Sequence, residues 1–140
     1  MDKFIRIPAF IFAVVIVVSC NKYEEGPKCS LLTKKDRFAR SWKLESSETN
    51  GQTTLTPDAE TIYFIFKKNT TYQKTFKING VDSVQTGNWN VSRDGEYLQL
   101  TLLDSIQLTE ENKIILLTNK LFKVRELTET NPTTSKFSAQ

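Results

Sequence analysis

Between Trp42 and Leu127, apolar and polar residues alternate with a period of two, cut at short intervals by turn-forming residues. That period puts every second side chain on the same face of an extended strand. Eight strands are predicted. The stretch 42–48 (WKLESSE) stops at Asn50-Gly51, a dipeptide suited to a tight hairpin turn. In 60–66 (ETIYFIF), Ile62, Phe64 and Phe66 share one face and Tyr63 and Ile65 the other. The stretch 71–78 (TYQKTFKI) ends at Asn79-Gly80, a second turn of the same kind. In 82–92, Val84, Trp89 and Val91 fall near one face, with Gly87 as a bulge or kink. In 96–103, Leu98, Leu100 and Leu102 alternate with Tyr97, Gln99 and Thr101. Two short strands, 105–110 and 113–118, flank a turn at Glu111-Asn112, and 121–127 (LFKVREL) is the last. Residues 129–140 are polar and read as a frayed tail.

Nearly every connection is short, so sequence neighbours are spatial neighbours in an antiparallel meander. A long meander hides its edges by closing on itself. The predicted fold class is therefore all-β: an eight-stranded antiparallel up-and-down barrel with a short N-terminal helix. An immunoglobulin-like sandwich needs long crossovers, and only residues 49–59 offer one. The helix falls in 30–42 (SLLTKKDRFARSW), with Ser30 as N-cap and Leu31, Phe38 and Trp42 on one side. Lys34, Lys35, Arg37, Arg40 and Lys43 form a basic cluster that reads as a solvated helix face or as a partner for acidic headgroups.

The N-terminus follows a different pattern. Lys3 and Arg6 precede an apolar run, Ile7 to Val18, interrupted only by Pro8. The run is too short for a membrane-spanning helix of about 20 residues and fits a signal-peptide core. It ends in Val17-Val18-Ser19-Cys20, which resembles the lipobox of bacterial lipoproteins. The resemblance implies cleavage before Cys20 and a diacylglyceryl thioether on its sulfur, an anchor that becomes stable with two or more acyl chains. The chain then divides into a cleaved signal peptide (1–19), a lipidated tether (20–29), a barrel (30–128) and a polar C-terminal tail (129–140). Glu24-Glu25 resembles the export signal of Bacteroidetes surface lipoproteins, so the expected address is the outer membrane, on the cell surface or the periplasmic face. With Cys20 alkylated, Cys29 has no partner in the chain.

Four stretches in order, RFARSWKL, FIFKKNTTYQKTF, TGNWNVSRDGEYLQLTLLD and IILLTNKLFKVREL, resemble the lipocalin-like domain of small Bacteroidetes lipoproteins. The likeness runs from about Gly26 to Leu127. Lipocalins open with Gly-x-Trp, where this chain has Arg40-Ser41-Trp42. The resemblance implies a barrel that captures a small apolar ligand, and it implies fold more firmly than function.

Composition narrows the chemistry. The chain has 140 residues, enough for one domain, and a net charge of +3, too small to point to nucleic acid. It has no His, which removes the usual general base and a common zinc ligand. No phosphate-binding glycine loop occurs, and Asp58, Asp94, Glu110 and Glu111 read as turn or outward acids. No enzyme activity, cofactor or metal is expected. Candidate lumen residues for a small apolar ligand are Trp42, Phe64, Phe66, Tyr72 and Trp89. The other reading is a filled barrel that docks a cell-envelope protein partner through an outer patch including Tyr63, Ile65 and Tyr97. Ser83 and Ser105 lie in triplets that resemble the Bacteroidetes O-glycosylation acceptor, or belong to turns.

Overall fold

The computed structural model describes residues 32–57, 61–103, 108–127 and 130–140. Residues 1–31, including Cys20, Cys29 and Ser30, lie outside the described residues, as does Ser105. A short helix, α1 (Lys34–Phe38), precedes β1 (Ser41–Thr49), β2 (Gln52–Leu55), β3 (Ile62–Phe66), β4 (Thr71–Ile78), β5 (Val81–Val91), β6 (Tyr97–Leu102), β7 (Thr109–Leu117), β8 (Leu121–Glu126) and β9 (Thr133–Ala139). All pairings are antiparallel, and β3 to β9 pair in chain order. The sheet closes where β9 returns to β1, from Trp42↔Ala139 to Thr49↔Thr133. The result is a closed eight-stranded barrel with one helix, the fold class that the alternation predicts. Asn50-Gly51 and Asn79-Gly80 make the expected turns, with φ of 55° and 75°, then 52° and 80°.

β1 is the strand on which closure turns. One edge pairs with β9 along its length. The other edge is divided: Ser41–Lys43 pair with β3, while Ser46–Thr49 pair with β2. A register shift against β9 between Leu44 and Ser46 marks the division, and an extra residue of this kind bends a strand. β2 therefore leaves the wall beside β3, and the upper wall has a slot.

Three elements differ from the sequence reading. Glu111-Asn112 is not a turn. β7 runs through it, held on both edges by Gln99↔Glu111 and Asn112↔Glu126, so pairing overrides local turn preference. The eighth barrel strand comes instead from the supposed tail. β9 lies between β8 and β1, and Phe137 is buried against Phe122, with stacked rings 4.4 Å apart. The helix is shorter than predicted, and its N-cap is Thr33, whose hydroxyl accepts the Asp36 N–H at 3.1 Å.

Gly87 is not a bulge. It stands in an unbroken ladder, opposite Tyr72 on one side and Leu102 on the other. The space above it is taken by a ring: a Cβ there would lie 2.5 Å from Tyr72 Cε1 and 2.3 Å from the Thr101 carbonyl oxygen. Gly87→Ala is therefore expected to cost about 1–3 kcal/mol through overpacking. The loss should appear as a lower urea midpoint with unchanged slope; an unchanged midpoint would contradict the contact.

Candidate functional site

The lumen has a filled base and an open upper half. α1 carries Phe38 into the base, where it is fully buried among Phe66, Trp89 and Phe122 at ring distances of 6.0, 5.8 and 5.5 Å. Trp42 meets Phe122 edge-on at 4.7 Å. Buried indoles need an acceptor, and both have one: Trp42 Nε1 donates to the Phe38 carbonyl and Trp89 Nε1 to the Lys67 carbonyl, each at 3.0 Å. Two residues of the basic cluster fasten this end. Arg37 donates to the Leu117 carbonyl at 3.1 Å, and Arg40 donates to the Asn119 carbonyl and lies over the Trp42 ring. These two guanidinium groups hold the β7–β8 turn rather than forming a purely solvated face.

Above Phe66 and Phe122 lies a cavity of about 250 Å³. Its apolar wall includes Leu44, Phe64, Leu98, Leu100, Val124 and Phe137, and its polar wall Ser47, Lys74, Glu110, Asn112, Glu126, Thr133 and Ser135. A second space of about 460 Å³ fills the slot between β2 and the β3–β4 pair, bounded by Leu55, Pro57, Ile62 and Phe76. Leu44, Ser47, Ile62 and Lys74 line both. Ligand pockets commonly measure about 300–1,000 Å³. The lumen cavity falls just under that range, and the adjacent slot lies within it.

The five candidate lumen residues separate. Phe64 and Phe66 line the cavity. Trp42, Tyr72 and Trp89 do not: the two indoles belong to the base, and the Tyr72 ring covers Gly87. A packed core therefore describes the base and a pocket describes the upper half. Tyr63, Ile65 and Tyr97 are half-buried rather than exposed. Among the described residues, exposed aliphatic side chains stand instead at Leu32, before α1, at Leu55 in β2 and Val84 in β5, and at Val81, Leu103, Leu108 and Leu127, in the connections and strand ends at the open end. Ser83 sits half-buried within β5, opposite Phe76, and not in a turn.

Glu110 corrects the sequence reading most directly, because it faces inward. The β7 register sets it opposite Leu100, on the lumen side. A signal for this existed: Glu110 and Asn112 share parity with buried Ile114, as Thr133 and Ser135 do with Phe137. Among the described residues, no group of His, Cys, Asp and Glu could hold a metal ion.

The Glu110 charge is felt by Tyr72. Burial first, and the Glu110 carboxylate second, push the Tyr72 hydroxyl above its ordinary value of 10.0. A raised folded-state value means that the neutral phenol is favoured in the barrel. The associated stability is fully present below pH 10 and declines as pH rises through the folded value. Glu110→Gln should lower the Tyr72 midpoint yet leave it above 10.0, because burial is the larger cause. Titration followed by the Tyr72 Cζ resonance reads this; a midpoint unmoved by the substitution would remove Glu110 from the site.

A family model described as a lipocalin-like domain matches residues 39–124, from the end of α1 through most of β8. Among solved structures, a redesigned β-barrel aligns with a TM-score of 0.49 and 13% identity, covering 80% of this chain and 99% of its own. No curated protein matches the chain.

Proposed function

The chain belongs to the lipocalin-like domain family, and from that premise we propose that it is a binding module: a barrel, tethered by lipid at the outer membrane, that takes a small apolar molecule in its upper lumen. The observation that carries this reading is the cavity of about 250 Å³ between Phe64, Leu98, Val124 and Phe137, beside a slot with which it shares Leu44, Ser47, Ile62 and Lys74. Burial of apolar surface there favours binding by about 25 cal/mol per Å² removed from water. The wall residues are held by a closed sheet, so little ordering is needed when a ligand enters. Entry is through the open end or the slot, where Leu55 stands exposed.

Native mass spectrometry of the protein without residues 1–29, purified without detergent, is expected to show a stoichiometric added mass that disappears on denaturation. A clean apo mass, unchanged after incubation with fatty acids and sterols, would overturn the ligand reading.

The tether is supported by the leader ending at Cys20. Metabolic labelling with palmitate is expected to mark the protein, and Cys20→Ala should abolish both the label and retention in the membrane fraction. A variant that stays in the membrane fraction would contradict the anchor. The second reading, a barrel that docks an envelope partner, is favoured by the exposed Val81, Leu103, Leu108 and Leu127 at the open end. Co-purification of one envelope protein with an apo barrel would select it.

A further inference from the structure

The polar residues of the upper lumen are arranged by sign. Lys74 projects inward from β4, in register with Phe64 and Gln85, and lines both the lumen cavity and the slot. Its ammonium lies 5.5 Å from the centre of the Phe64 ring and 5.7 Å from that of Phe76. Glu110 and Glu126 line the same cavity from β7 and β8. Asn112 pairs with Glu126, and Glu110 lies two residues before Asn112 on the same face, so the two carboxylates are diagonal neighbours. Among the described residues, neither carboxylate forms an ion pair or a side-chain hydrogen bond, and the Lys74 ammonium forms no ion pair and lies over the two rings. One cation and two anions thus line a single cavity from different walls without neutralising one another.

We infer that the ligand is a single-chain amphiphile with a zwitterionic head, its anionic group on Lys74 at the slot and its cationic group on Glu110 and Glu126, and its chain reaching down between Phe64, Leu98 and Val124. This rests on the binding-module reading and adds the head-group chemistry. A purely anionic head on Lys74 would face two uncompensated carboxylates, and a purely cationic head on the carboxylates would face the ammonium. Like charges disfavour each other, and a head with both signs meets each wall with its complement. The cavity holds on the order of eight small groups at about 30 Å³ each. A longer chain therefore needs the slot as well, which leaves its head beside Lys74.

The test uses the exported protein with Cys20→Ser, so that no attached lipid competes. Four probes share one myristoyl or tetradecyl chain: lysophosphatidylethanolamine, myristate, tetradecyltrimethylammonium and monomyristoylglycerol, each titrated calorimetrically below its micelle concentration. The zwitterion is expected to bind about tenfold more tightly than the neutral ester, the gain of about one charge-assisted contact. Lys74→Met should erase that preference and leave the neutral ester unchanged, and Lys74→Arg should keep it. Glu110→Gln with Glu126→Gln should bring the zwitterion level with myristate. Circular dichroism establishes that each variant folds. Equal affinity for all four probes, or tightest binding of myristate, would overturn the inference while the binding module stands. Binding of none of them would overturn both.

Discussion

An eight-stranded barrel leaves a lumen that side chains can just fill, and in this protein the insertion of Phe38 determines which end is filled. The ring sits at the base among Phe66, Trp89 and Phe122. The two tryptophans complete the plug, and their own N–H groups are bound to backbone carbonyls. The upper half has no such plug, and its inward positions become smaller or polar: Ser47, Thr133, Ser135 and Asn112. Filling and opening are thus two consequences of one placement of large side chains along the barrel axis.

Closure depends on the same end. β1 begins beside the plug at Trp42 and pairs with β9 over its length, yet shares its other edge between β3 and β2. The base is therefore hydrogen-bonded all the way round, through Ser41–Lys43 and β3, while the wall above opens into the slot. A closed floor with an interrupted rim would let a ligand enter without unfolding the sheet. The exposed aliphatic side chains of the open end lie on that rim.

The sequence made the base legible and obscured the site, for a common physical reason. Strand prediction rests on alternation of apolar and polar residues. Leu98, Leu100, Phe64 and Phe66 announce their strands because their inward positions are apolar. β9 carries Thr133 and Ser135 at inward positions, and β7 carries Glu110 and Asn112, so the alternation disappears where the lumen turns polar. By alternation alone, β9 reads as a tail and β7 as two short strands. Trp42 and Trp89 attract attention as ligand contacts because they are large, yet that size is what the base requires. Lys74, with Tyr72 and Phe76 on either side at the same parity, was readable as an inward charge.

The most direct test of an open upper lumen above a closed base is a titration of an amphiphile into protein with ¹³C-labelled methyl and aromatic groups. The expected result is chemical-shift change at Leu44, Phe64, Leu98, Val124 and Phe137, with Phe38, Trp42 and Trp89 unmoved. Shifts confined to the base, or to outward residues such as Tyr63 and Ile65, would contradict it.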